Sequence, residues 1–133
     1  MKKILIGYDG SPAAQKTFLL AKKHARAFKA KVHLLHCMAV KSNEQLEAIE
    51  AAEKDLETAR QCFSADRIPV ETHLHLMVSG MSPGEDLVQF GKKIGADEII
   101  LGVQKKSKLN KLIFGSTIQY ALLKAHCPVV TIT

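Results

Sequence analysis

The regular alternation of strand-like and helix-like segments constrains the fold more than any other feature of this chain. Short apolar runs at 3–8, 31–38, 70–78, 98–101 and 129–133 are separated by segments that carry helical periodicity or helix-start signals. Because parallel strands need crossover connections, this alternation indicates right-handed βαβ units. The sequence therefore predicts an α/β fold, a single doubly wound parallel sheet of five strands with helices on both faces.

Helix-start signals follow these strands closely. Ser11 and Ser82 each precede a proline, which is typical of an N-cap followed by the first helical residue. A Ser-Asn-Glu-Gln sequence at 42–45 resembles a capping box that opens a second, longer helix. Gly95 is placed to end the helix that starts at Ser82.

Size and composition limit the class of protein. A chain of 133 residues with 47% hydrophobic and 24% charged residues is expected to form one folded domain, here residues 1–133. No apolar run approaches the ~18 residues of a membrane span, and the polar residues Asp9 and Ser11 follow the first apolar run too soon for a secretory signal. Three cysteines, an odd number without close pairing, favour a reduced, cytoplasmic protein.

The predicted topology also indicates where a ligand would bind. In open α/β sheets, ligands lie beyond the carboxyl ends of the strands, where the strand order reverses. That rule selects Asp9-Gly10-Ser11, Cys37-Met38 and the segment from Gly102 onward.

The segment from Gly102 to Thr117 carries the features of a phosphate site. Lysines at 105, 106, 108 and 111 lie between Gly102 and a Gly-Ser-Thr helix start at 115–117. Glycines allow close backbone approach, and a helix N-terminus offers unpaired N–H donors with partial positive charge. A solvated lysine loop and a simple N-cap at Ser116 are the alternative interpretations.

Several motifs together resemble the universal stress protein family over essentially the full length. They are Ile4–Ser11, Val32–Cys37, the Gly-x-x-Pro-x-Glu-x-Leu segment at 80–87, Ala96–Gly102, and Gly115-Ser116 through to Cys127–Val130. The resemblance implies an adenine nucleotide alpha hydrolase-like fold with strand order 3-2-1-4-5. It also implies a homodimer through the last strand, and the alternating residues 129–133 would leave an edge for antiparallel pairing.

The nucleotide-binding branch of that family carries Gly-x2-Gly-x9-Gly-(Ser/Thr). Gly102, Gly115 and Ser116 fit this spacing, whereas Lys105 replaces the second glycine. A lysine at a position that needs positive φ would cost on the order of 1 kcal/mol. Its amine would either occupy the phosphate site or neutralise the phosphates directly.

The resemblance implies a role for each matching position. Asp9 would accept hydrogen bonds from the ribose or adenine, Gly10 would keep the turn open, and Ser11 would lie near the ligand. Cys37 would contact adenine, while Leu101 and Gly102 would flank the ribose and first phosphate. The remaining phosphates would bind at the last helix, to Gly115, Ser116 and Thr117.

Other functions find less support in the sequence. His73 and His75 share one side of the third strand, but His33 and His36 point to opposite faces of the second and do not complete a metal site. No Walker A motif is present, and a single acid in the candidate pocket, Asp9, does not suit efficient ATP hydrolysis. The net charge of +6 is compatible with nucleic-acid binding, but the absence of tryptophan and the few other aromatic residues argue against it.

The sequence thus predicts a cytoplasmic universal stress protein without catalytic residues. It would bind ATP or AMP, with or without Mg²⁺, as a sensor or regulator in a stress response. The alternative is a nucleotide-free dimeric scaffold that acts through protein–protein interaction, and Lys105 is the residue that distinguishes the two.

Overall fold

The computed structural model describes residues 2–40, 45–77, 80–106 and 111–133. Five strands form the main sheet: β1 (Lys2–Gly7), β2 (Ala30–Ala39), β3 (Val70–Met77), β4 (Glu98–Gly102) and β7 (Val129–Ile132). The helices are α1 (Pro12–Gln15), α2 (Thr17–Phe28), α3 (Leu46–Ala65), α4 (Pro83–Ile94) and α5 (Ser116–Lys124). A short hairpin of β5 (Gln104–Lys106) and β6 (Lys111–Ile113) lies between β4 and α5.

The main sheet has the order β3-β2-β1-β4-β7, and each of its neighbouring strand pairs is parallel. Numbered by sheet strand alone, this is the predicted order 3-2-1-4-5. The strand order reverses at β1. This strand pairs with β2 on one side and with β4 on the other. The carboxyl ends of β1 and β4 therefore border the crevice where such folds bind ligands.

Strand alternation divides the core between the two faces of the sheet. Ile4 and Ile6 point into a cluster with Phe63 and other residues of α2 and α3. Leu5 points to the opposite face, where Leu87 and other residues of α4 and α5 cover it. Helices on both faces confirm the doubly wound arrangement.

Both predicted serine caps are present. The Oγ of Ser11 accepts a hydrogen bond from the N–H of Ala14 at 3.1 Å, and the Oγ of Ser82 accepts one from Glu85 at 3.2 Å. Gly95 ends α4 with a φ of +70°. The predicted capping box falls largely on residues 42–44, which lie outside the described residues, as does the last residue of the predicted third strand, Val78.

The lysine-rich segment after β4 was interpreted as a loop, but the structure shows strand pairing within it. Within the described part of this segment, Gln104 pairs with Ile113, and Lys106 with Lys111, in the antiparallel hairpin. Lys108 lies outside the described residues. The strands are only three residues long and rich in lysine, so neither periodicity nor β-propensity marks them in the sequence. None of the described helices combines the length and apolar character needed to cross a membrane.

Candidate functional site

A cavity of about 360 Å³ opens where the carboxyl ends of β1, β2 and β4 meet the start of α5. Its volume lies within the ~300–1,000 Å³ range typical of small-molecule sites. We call it the central cavity. The segments that form it are far apart in the chain; its lining residues are Gly7, Tyr8, Asp9, Ser11, Ala13, Ala14, Leu35, His36, Cys37, Pro83, Leu87, Leu101, Gly102, Gln104, Gly115, Ser116, Thr117 and Ile118.

The turn between β1 and α1 is held by its own side chains. The Oδ1 of Asp9 accepts a hydrogen bond from the N–H of Ser11 at 2.9 Å, and Ser11 in turn caps α1. Gly10 has a φ of +81°, a left-handed conformation that glycine adopts readily. Asp9 and Ser11 thus have structural roles, and each also presents atoms to the central cavity.

The end of β2 contributes a neutral thiol to the cavity wall. Burial raises the pKa of the Cys37 thiol well above its ordinary value, and its hydrogen bond to Asp86 adds to the effect. The Sγ of Cys37 donates to the Oδ2 of Asp86 at 3.0 Å. Cys37 therefore behaves as a small apolar surface and not as a reactive thiolate.

His36, the neighbour of Cys37, also lines the cavity. Burial lowers the pKa of its imidazole, so the ring is neutral at pH 7. Its Nδ1 is buried without a hydrogen-bond partner among the described residues. A buried polar atom without a partner costs free energy, so a ligand polar group that reached this nitrogen would be favoured.

The first turn of α5 forms the cavity wall on the other side. Gly115 is the N-cap residue, and no side chain in the described part of the chain caps this helix, so its first N–H groups have no side-chain partner there. Ser116 and Thr117 add two hydroxyl groups at the same wall. Unpaired donors, helix dipole and hydroxyls together make this the part of the cavity suited to an anion.

The model of the Universal stress protein family matches residues 1–133. The chain belongs to the universal stress protein family. A universal stress protein of Methanocaldococcus jannaschii is 28% identical to it over 142 residues, covering 98% of this chain and 81% of that protein.

Two solved universal stress protein structures from Archaeoglobus fulgidus have the same fold. One has a TM-score of 0.83 and 29% identity, covering 100% of this chain and 94% of that one. The other, in complex with dAMP, has a TM-score of 0.79 and 25% identity, covering 100% and 98%. The fold of this universal stress protein is therefore the adenine nucleotide alpha hydrolase-like fold expected from the resemblance.

Eight of the ten residues predicted for the site of this universal stress protein lie on the central cavity: Asp9, Ser11, Cys37, Leu101, Gly102, Gly115, Ser116 and Thr117. Gly10 shapes the turn behind Asp9 and does not line the cavity. Lys105 is exposed and does not line it either, whereas the preceding residue, Gln104, does.

The replacement of the second motif glycine carries no backbone strain. Lys105 is part of β5, and the non-glycine residues with positive φ in the described part of the chain are Lys29 and Arg67. The expected cost of a lysine in a left-handed conformation is therefore absent. The Lys105 side chain is exposed and lies outside the cavity wall. Its position therefore supports neither role considered for its amine, which were to occupy the phosphate site or to contact the phosphates directly.

Sequence reasoning missed Gln104 and His36 as cavity residues, although both follow from strand ends that it had identified. It predicted no metal site for His73 and His75, because His33 and His36 point to opposite faces of β2 and do not both reach them. His73 and His75 share one face, where each ring packs on Phe90. His33 lies on that same face, with its Nδ1 3.0 Å from the Nε2 of His73.

Proposed function

We propose that this universal stress protein binds an adenine nucleotide, ATP or AMP with or without Mg²⁺, in the central cavity. The observation that carries the proposal is the uncapped N-terminus of α5, Gly115–Thr117, on the wall of a cavity that also contains Asp9. The A. fulgidus structure in complex with dAMP, which is similar over the full chain, supports the same ligand class.

Different residues of the cavity lining are suited to the base, the ribose and the phosphates of a nucleotide. Leu35, Leu87 and the protonated thiol of Cys37 offer an apolar surface for the base. The Asp9 carboxylate is suited to accept hydrogen bonds from ribose hydroxyls. The start of α5 is suited to the phosphates, because its N–H donors are oriented along the helix axis toward the cavity end.

The proposed role is that of a sensor or regulator in a stress response, since the cavity is equipped for binding more than for hydrolysis. Asp9 is the one acidic residue among the described residues that line it. Metal-assisted phosphoryl transfer generally uses a clamp of metal ions together with a residue that orients the attacking water. One carboxylate, already engaged with the N–H of Ser11, does not provide that set.

We also propose that residues 1–133 act as one cytoplasmic domain that forms a homodimer through β7. β7 lies at the end of the sheet order, next to β4, and its residues are half-buried. An edge strand offers unpaired N–H and C=O groups to a second copy. Leu122 and Leu123 on α5 are 51% and 81% exposed, so apolar surface is also available for a partner. Light scattering at several concentrations tests this assembly.

A thermal-shift titration with ATP, AMP and adenosine tests nucleotide binding. Ligand that binds only the folded state raises the Tm by mass action. We expect ATP and AMP to raise the Tm and adenosine to raise it less, because adenosine lacks the group that α5 would bind. No shift at millimolar nucleotide would contradict the proposal and favour the nucleotide-free scaffold.

A variant at Gly115 makes the test specific to the phosphate end. Gly115 has a φ of −65°, and a Cβ built there meets none of the described atoms within 4 Å, so a side chain is accommodated there. We expect Gly115→Val to fold and to lose the difference between AMP and adenosine. Ser82→Ala, which changes the N-cap of α4 outside the cavity wall, serves as the control and should keep that difference.

A further inference from the structure

A second group of chemically active side chains lies away from the central cavity, on the sheet face that α4 covers. It consists of His33 on β2 with Glu71 and His73 on β3, and we call it the His33 cluster. The parallel register sets His33 opposite Glu71, and Leu35 opposite His73. Residues i and i+2 of one strand and their neighbour on the next strand share a face, so the three side chains converge.

The three polar atoms form a nearly regular triangle. The Nδ1 of His33 lies 3.0 Å from the Nε2 of His73, and the Oε2 of Glu71 lies 3.3 Å from each nitrogen. Zinc ligands at bond lengths of about 2.0–2.1 Å in tetrahedral geometry lie roughly 3.3 Å apart. An ion bound at this triangle would therefore need little movement of the three side chains.

Hydrogen bonding alone satisfies this triangle poorly. A neutral imidazole carries one proton and one free lone pair, whereas an ionised carboxylate offers lone pairs alone. If the proton of one ring lies between the two nitrogens, the nitrogen that accepts it has no proton of its own. A lone pair of that nitrogen then faces a lone pair of the Glu71 carboxylate. A cation at the centre would satisfy all three lone pairs together.

We propose that His33, Glu71 and His73 bind a divalent transition metal ion of the Zn²⁺ class. Two imidazoles and one carboxylate are a donor set used by zinc and by other first-row transition metals, whereas Mg²⁺ and Ca²⁺ favour oxygen donors. The Glu71 side chain is 50% exposed, so the ion has a route from solvent. The site is independent of nucleotide binding.

Two features around the His33 cluster limit its expected affinity for a metal ion. Binding through Nδ1 places the remaining proton of His33 on Nε2, which is buried without a partner in the described part of the chain. Lack of such support lowers metal affinity by about 10- to 100-fold. The Nζ of Lys31 lies 4.0 Å from the Oε2 of Glu71 and competes with the ion for that carboxylate.

A neighbouring group, Cys37, His75 and Asp86, also holds metal-ligating atoms close together. Its geometry is explained without an ion, because the Nδ1 of His75 and the Sγ of Cys37 lie 2.6 and 3.0 Å from the same carboxylate oxygen as hydrogen-bond donors. Burial also keeps the Cys37 thiol protonated, and thiolate is the form that binds metal. This group therefore provides a control for the His33 cluster.

The test uses the full chain without a polyhistidine tag, freed of metal by a chelator that is then removed. Titration with Zn²⁺ should show one ion per chain by calorimetry and should raise the Tm. Co²⁺ should give visible absorption bands of a low-symmetry site without a thiolate charge-transfer band. Failure to bind either ion would overturn the proposal, and a thiolate band would also overturn it by assigning the metal to Cys37.

Variants identify the ligands. We expect Glu71→Gln and His73→Gln to weaken Zn²⁺ binding by about 10-fold or more. Lys31→Gln should strengthen it by about 2- to 5-fold, because the Lys31 amine no longer competes for the Glu71 carboxylate. His75→Gln, on the same strand and the same Phe90 ring, should leave binding unchanged. Unchanged affinity in both Glu71→Gln and His73→Gln would refute the assignment, and circular dichroism verifies that each variant is folded.

Discussion

Gly102 lies so close to Ala13 that a Cβ atom at position 102 would overlap the carbonyl oxygen of Ala13 and lie 2.9 Å from the amide nitrogen of Ala14. The end of β4 therefore packs directly on the backbone of α1. The family motif assigns this glycine to nucleotide binding, and the packing shows that the fold itself requires it. Gly115, whose surroundings are open, has no such structural requirement.

The two motif glycines should therefore differ in their effect on stability. We expect Gly102→Ala to lower the free energy of unfolding by about 1–3 kcal/mol or more, because backbone must move to admit the methyl group. Gly115→Ala should cost at most about 1 kcal/mol, the usual loss at an N-cap. Urea unfolding followed by circular dichroism measures both, and equal losses would contradict the packing argument.

The two serine caps allow structure and binding to be separated. Ser11→Ala and Ser82→Ala each remove a hydrogen bond to a helix N–H and should each cost about 1 kcal/mol of stability. Only Ser11 lines the central cavity. We expect only Ser11→Ala to weaken AMP binding in calorimetry, and an equal loss in Ser82→Ala would show that the effect comes from destabilisation.

Lys105→Gly should change nucleotide affinity little. The Lys105 side chain is exposed, and its backbone continues the β5–β6 hairpin through its pairing with Leu112. Removing one surface charge alters binding free energy by about 0–1 kcal/mol, an effect that added salt reduces. AMP titrations at low and high salt measure it, and a change of ten-fold or more at high salt would mean that the amine reaches the ligand.

Cys37 should remain unreactive through the pH range in which free thiols ionise. Its pKa is raised, so the folded protein keeps the proton above pH ~8.5 while the unfolded chain releases it. The stability from this group is therefore present below pH ~8.5 and declines as the pH rises further. Iodoacetamide labelling read by mass spectrometry should be slow at Cys37 and should become rapid in urea, with exposed Cys62 as the internal reference. Rapid labelling of folded protein at pH 8 would contradict the burial argument.

The sheet and its helices could be predicted because local signals agree with the tertiary structure. Apolar runs mark the strands, and Ser11 and Ser82 mark helix starts that the structure confirms. The helical segment that begins after Ser11 divides at Lys16 into α1 and α2, and no breaker residue in the sequence marks that division. Phe28 continues the apolar spacing of the buried residues Ala21 and Ala25 but is 55% exposed, because a periodic pattern does not show where a helix leaves the core.

The position of the central cavity followed from topology, whereas the His33 cluster could not be predicted. The carboxyl-end rule needs only the order of strands, so it located Asp9, Cys37 and Gly102 from sequence alone. The His33 cluster depends on the register of β2 against β3, which pairs His33 with Glu71. The register between parallel strands is set by how their side chains pack on both faces of the sheet. It therefore cannot be read directly from the sequence of the two strands.

The walls of the central cavity come from both ends of the chain, with Asp9 near the first residues and Thr117 near the last. A molecule that fills it would connect segments that must separate when the protein unfolds. Occupied copies would then resist proteases longer than vacant ones, since degradation depends on the open population. The fraction of copies that survive a fixed exposure to protease would thereby follow the concentration of the small molecule.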